Sequence, residues 1–161
     1  MAINAGRVVL GGLVAGVVRL IGGTVVRVLV VGPLFFEDLA RNQPGIAAAL
    51  ETTPARIQVV AINLLMGIAL IYMYAAMRPR FASRLATVLS ASVPAWLLAT
   101  SVWGLTAAMG LFSWPQVIVD ASLTFITVVV AAYLGSSIYK DTKEVAVMSG
   151  AGVHATAGAR T

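Results

Sequence analysis

The sequence predicts an all-α integral membrane protein: an up-down four-helix bundle with its N- and C-termini cytoplasmic. Three observations carry this. The 161-residue chain is 60% hydrophobic and only 11% charged, where soluble domains hold about 45–50% apolar and about 25% charged residues. Four apolar runs, at about 8–34, 54–77, 83–108 and 115–139, each reach the roughly 20 residues a helix needs to cross the hydrocarbon core. The runs are continuous and not alternating, which selects helices over barrel strands.

The first run, 8–34, follows Arg7, the pattern of a signal peptide. Arg19 interrupts it, it continues past signal length and no clear A-x-A site follows, so an uncleaved span is expected. "GPLFF" at 32–36 ends it. The outer loop, 33–53, is the longest connection, with a short interfacial helix expected at 46–50. Thr53-Pro54 opens the second span as a cap followed by proline at the first helical position. "RPR" at 78–80 closes it, and Ser83 caps the third. Pro94 removes one bond to the Ser90 carbonyl inside that span. The fourth span begins at Pro115. One four-span domain over 1–144 and a flexible polar tail over 145–161 complete the expected organisation.

Charge sets the orientation. An even number of crossings places Arg7, Arg78, Arg80, Arg84, Lys140, Lys143 and Arg160 on one side. The other side has Arg41 and Arg56 against Glu37, Asp38 and Glu51. The positive-inside rule makes the first side cytoplasmic. The net charge of +5 is thus a topology signal, and nucleic acid is not an expected partner, because no stacking aromatics accompany the arginines. Tyr72, Tyr74, Phe81 and Tyr139 fall near the inner boundary, and Phe35, Phe36, Trp103, Phe112 and Trp114 near the outer one, as interfacial belts do.

The polar residues inside the spans are the candidates for function. At about 100° per residue, Gly12, Gly16, Arg19, Gly23 and Arg27 share one arc of about 80° on the first span. Asp120, Thr124, Thr127, Ala131 and Gly135 share a similar arc on the fourth. Laid antiparallel, Arg27 meets Asp120, Gly23 meets Thr124, Gly16 meets Ala131 and Gly12 meets Gly135. Arg27 and Asp120 lie at matching depth, about 6–8 Å below the outer boundary at 1.5 Å per residue. A structural Arg27–Asp120 ion pair is therefore expected, with small residues letting the backbones approach. Arg19 has no carboxylate at its depth and reads as a contact to a protein partner or a lipid. The second span collects Arg56, Asn63, Gly67 and Tyr74 on one side. The third collects Thr87, Ser90, Ala91, Pro94, Ser101 and Ala108.

Known chemistry finds no footing. With no cysteine and one histidine, His154 in the tail, thiolate sites and bis-histidine haem are excluded. The carboxylates are scattered over three levels, and no nucleophile elbow, phosphate loop or dinucleotide fingerprint occurs. No cofactor, metal or catalytic residue is expected.

"GRVVLGGLVAGVV" (6–18) and "YAAMRPRF" (74–81) resemble an uncharacterised group of small bacterial four-helix integral membrane proteins. The resemblance implies the same fold in a bacterial cytoplasmic membrane and no activity. In that group a glycine-proline turn follows the RPRF element, where this chain has Ala82-Ser83. Neutral polar or acidic residues stand where this chain has Arg19 and Arg27. Together these readings lead to a non-enzymatic accessory subunit of a membrane complex, with partner subunits or copies of itself in the bilayer. The alternative is a small oligomeric transporter or channel using Arg19, Arg27, Asn63 and Asp120.

Overall fold

A computed structural model of the chain describes residues 3–139. The described residues form helices joined by short turns, with no strand among them. α1 (Ala5–Val25) starts at Asn4, whose Oδ1 accepts the Arg7 N–H at 3.2 Å. A π-turn over Val26–Val30 extends it. α2 (Gly32–Asn42) and α3 (Pro44–Leu50) follow as two short helices. α4 (Thr53–Met77), α5 (Arg84–Ala108) and α6 (Trp114–Ile138) are each 25 residues long. Four helical stretches, Ala5–Val30, Thr53–Arg80, Arg84–Ala108 and Trp114–Ile138, are long and apolar enough to cross a membrane.

The helix ends follow local chemistry. Ser83 caps α5 as expected, its Oγ accepting the Ala86 N–H at 3.1 Å. α5 closes through Gly110 at φ +74°, with Gly110 N–H bonded to the Ala107 carbonyl and Leu111 N–H to the Thr106 carbonyl. That double bond pattern with a left-handed residue after the cap is a Schellman turn. Thr52, and not Thr53, occupies the cap of α4. It is extended, so Pro54 falls at the second helical position, where the missing N–H costs little.

Two expectations on the loop change. The first span ends at Val30, and a new helix starts at Gly32 with Pro33 in its first turn, so "GPLFF" begins an element as well as ending one. Residues Val31, Phe35 and Leu39, spaced by four, form the buried side of α2. The short helix foreseen at 46–50 begins earlier, at Pro44. The 145–161 tail, with His154, lies outside the described residues.

α1 packs along α4 and α6, α5 packs on α6 and α4, and α4 also touches α6. The α1 contacts run antiparallel on both sides and rest on glycine. A Cβ added to Gly67 would stand 2.3 Å from the Gly12 carbonyl oxygen and 2.3 Å from the Gly16 nitrogen. On the other side, a Cβ on Gly11 would stand 2.6 Å from the Gly135 carbonyl oxygen, and one on Gly135 2.8 Å from the Ala15 Cβ. Such contact distances exist only where the side chains are missing, and in lipid close backbone packing is a main source of helix association. Gly12 and Gly16 therefore face α4, and not α6 as the wheel suggested. Gly11 and Ala15, one residue earlier in each case, meet α6. The antiparallel register between the first and fourth spans holds to within one or two residues, as Gly11–Gly135 and Gly22–Thr127 show.

Packing is uneven along the helices. The main core, including Ala15, Leu70, Ile71, Tyr74, Val88, Ala91, Val128, Ala131 and Ala132, belongs to the end that carries Arg7 and the α4–α5 turn. Toward the α2 end, no residue of α1 beyond Gly16 and none of α4 before Gly67 is buried. Large apolar side chains such as Ile21, Leu29, Ile57, Leu65, Leu98, Leu105, Ile118 and Ile126 cover the outside. Tyr74 and Tyr139, read as belt residues, are instead buried edge to face with centroids 6.1 Å apart. The third-span face is only partly as expected: Thr87 and Ala91 are buried, while Pro94, Ser101 and Ala108 are exposed.

Candidate functional site

Where the helices separate, they enclose a polar cavity of about 90 Å³. It is lined from α1 by Arg19, Gly23 and Thr24, from the π-turn by Arg27, from α4 by Val59 and Asn63, from α5 by Ala99 and Trp103, and from α6 by Asp120, Thr124, Thr127 and Val128. Arg19, Arg27, Asn63 and Asp120 thus reach one place, whereas Arg56 of the second-span face does not line it. The volume is well above the roughly 10–15 Å³ that one water needs. Thr24 and Val59 are lining residues that are also exposed, so the opening lies between α1 and α4.

Arg27 owes its position to the π-turn, which gives the helix one extra residue before it ends and bonds the Val31 N–H to the Val26 carbonyl at 3.0 Å. Such turns are frequent at functional sites. The guanidinium lies 5.2 Å from the Trp103 ring centroid and 5.7 Å from that of Phe35. Phe112 completes the cluster, stacked on Phe35 at 5.6 Å and edge-on to Trp103 at 5.3 Å. Cation–π contact of this kind contributes about 0.5–2 kcal/mol, more when water is excluded.

Asp120 shares the cavity with Arg27 but does not touch it: among the described residues no arginine nitrogen comes within the 4.0 Å of a direct ion pair. Asp120 is 8% exposed and accepts a hydrogen bond from the Thr124 hydroxyl at 3.4 Å. The register that brings the pair to one cavity is as expected. The direct contact is replaced by aromatic faces on the arginine side and a threonine on the carboxylate side.

Arg19 is half-buried about two helical turns deeper than Arg27, and its Nε is buried without a protein hydrogen-bond partner. Gly23 has nothing within 4 Å of where a Cβ would stand. It borders open space and does not pack on Thr124. Gly22 takes that packing role, with Thr127 against it. Asn63 donates to the Val59 carbonyl of its own helix at 2.9 Å, leaving its oxygen for the cavity. Gln116, one turn before Asp120, is 2% exposed with an unpartnered Oε1. Sequence reading passed it over, although its spacing of four from Asp120 was visible.

α2 roofs this end of the molecule. Asp38 accepts the Ser113 N–H at 2.9 Å, and Asn42 donates to the Leu111 carbonyl at 3.3 Å. The Ser113 hydroxyl and backbone N–H hold the Asp38 carboxyl below its ordinary range. At the opposite end two arginines tie α6 in place. Arg84 donates from Nε to the Ser136 hydroxyl at 3.2 Å and from Nη2 to the Tyr133 carbonyl, with its guanidinium 4.3 Å from the Tyr133 ring centroid. Arg7 donates to the Ile138 carbonyl at 3.4 Å. Cations at a helix C-terminus satisfy its free carbonyls and oppose its dipole.

Among the described residues no cluster of His, Cys, Asp or Glu could hold a metal ion. Comparison with protein-family models, curated proteins and solved structures gave no match.

Proposed function

We propose that the chain is a non-enzymatic multi-pass membrane protein, an up-down four-helix bundle with both termini cytoplasmic, acting as an accessory subunit of a larger membrane assembly. The observation that carries this is the uneven packing. The Arg7 end is closed around glycine contacts, whereas the α2 end leaves α4 from Thr53 to Ile62 without a buried residue. Arg56 lies within this stretch and Asn63 directly follows it, sharing the cavity with Arg19. A neighbouring subunit would cover that side and complete the polar surroundings of Arg19. Charge supports the orientation: Arg78, Arg80 and Arg84 gather at the Arg7 end, Glu37, Asp38 and Glu51 at the other. A bacterial cytoplasmic membrane fits this reading through the resemblance.

Purification from native membranes in mild detergent tests it. Co-migration with a defined partner, or a stable homo-oligomer, is expected. A well-behaved monomer without partners would contradict it.

A second reading has its own support in the meeting of Arg19, Arg27, Asn63 and Asp120 at one cavity. Intramembrane ionisable groups mark solute paths by default, so a small oligomeric transporter or channel is the alternative. Flux in proteoliposomes that disappears in Asp120→Asn would favour it over the accessory role.

A further inference from the structure

We propose that the cavity is a binding site for a singly charged anionic group, a carboxylate or a phosphate, entering between α1 and α4. Its lining brings two guanidinium groups, Arg19 and Arg27, against one carboxylate, Asp120. That leaves one excess positive charge inside a hydrophobic span, where an unpaired cation is costly and is normally matched by a partner. Asp120 is already engaged by the Thr124 hydroxyl, and Arg27 has its faces against Trp103 and Phe35. Neither guanidinium is within ion-pair distance of a carboxylate among the described residues.

The remaining donors suit an oxyanion. The Arg19 Nε is buried and free of protein partners. The hydroxyls of Thr24, Thr124 and Thr127 already donate, to the Leu20 carbonyl, the Asp120 carboxylate and the Leu123 and Thr124 carbonyls, and Asn63 gives one N–H to the Val59 carbonyl, so the guanidinium N–H groups are the donors left for a ligand. Guanidinium groups bind carboxylate and phosphate through paired N–H donors, and such charge-assisted bonds are about twice as strong as neutral ones. The aromatic contacts orient Arg27 without using up those N–H groups. About 90 Å³ accommodates one such headgroup and excludes a bulky solute. The opening beside Thr24 and Val59 faces sideways out of the helices, so a lipid phosphate and a free anion present the same chemistry to the site.

Binding here needs neither a partner subunit nor transport, so it can fail or succeed independently of both functional readings. The full-length protein is placed in nanodiscs of zwitterionic lipid and titrated with inorganic phosphate by calorimetry. In a parallel arm it is placed in nanodiscs containing an anionic phospholipid, and retained lipid is counted by native mass spectrometry. Saturable phosphate binding identifies a free anion; retention of one anionic lipid identifies the lipid. Either result is expected to weaken about tenfold in Arg19→Gln, as loss of one charge-assisted contact implies. It is expected to tighten in Asp120→Asn, which removes the competing negative charge. A role in packing alone would make both variants weaker. Should Arg19→Gln fail to fold, the sign of the Asp120→Asn change decides. No binding in either arm, or weaker binding in Asp120→Asn, overturns the proposal.

Discussion

Gly67 and Gly12 are packed so closely that a methyl group on Gly67 would lie 2.3 Å from the Gly12 carbonyl oxygen. Gly67→Ala must push α1 away from α4. Overpacking of this kind costs about 1–3 kcal/mol. Gly23→Ala on the same helix as Gly12 meets nothing within 4 Å and is expected to be neutral or stabilising by up to about 1 kcal/mol through helix propensity. Thermal melting of the two variants in the same detergent checks the contrast, and equal shifts would refute the close-packed assignment.

The aromatic setting of Arg27 makes a second prediction. A double-mutant cycle between Arg27→Met and Trp103→Leu should give a coupling of about 1 kcal/mol. The Arg27→Met and Asp120→Asn cycle should give less, because the two groups share a cavity without an ion pair. The reverse order would restore the direct pair that the sequence suggested.

The α2 roof responds to acid. The Asp38 carboxyl is held below its ordinary range by Ser113. A group with a depressed folded pKa stabilises the fold above its unfolded value, about 3.9, and that stabilisation fades as pH falls through the folded value. The α2 contact to Ser113 should therefore weaken only below about pH 4. Hydrogen exchange at the Ser113 amide should rise there in the wild type relative to Asp38→Asn, whose exchange should show no such step. An equal acid step in Asp38→Asn would locate the titration elsewhere.

Arg84 joins α5 to the end of α6 through Ser136 and Tyr133. Arg84→Gln is expected to cost about 1.5–3 kcal/mol, the range for a hydrogen bond to a charged group. Arg80→Gln, on an exposed residue, should stay within about 0.5 kcal/mol. Urea or thermal unfolding of the pair compares them directly.

The spans were legible because length and apolarity alone define them, and the polar positions were legible because a charge in a span stands out. What the helical wheel could not settle is the neighbour. Gly11 and Gly12 are adjacent, hence about 100° apart, so α1 carries two small faces. One serves α6 through Gly11 and Ala15, the other α4 through Gly12 and Gly16. Small residues announce a close approach without saying to what. The α2 helix was hidden by "GPLFF", where proline suggested a stop. The spacing of Val31, Phe35 and Leu39 was the available sign of a helix. Arg27 drew attention to the nearest carboxylate, while Phe35 and Trp103, assigned to an interfacial belt, supply its actual contacts.

The absence of native cysteine permits the most direct test of the central claim, that these helices close at the Arg7 end and open into a polar cavity at the other. Single Gly23→Cys and Ala131→Cys variants are exposed to a small thiol reagent that enters the bilayer and can reach an opening between α1 and α4. Labelling of Gly23→Cys, with Ala131→Cys protected, is the predicted result. Protection of Gly23→Cys, or equal labelling of both, would contradict it.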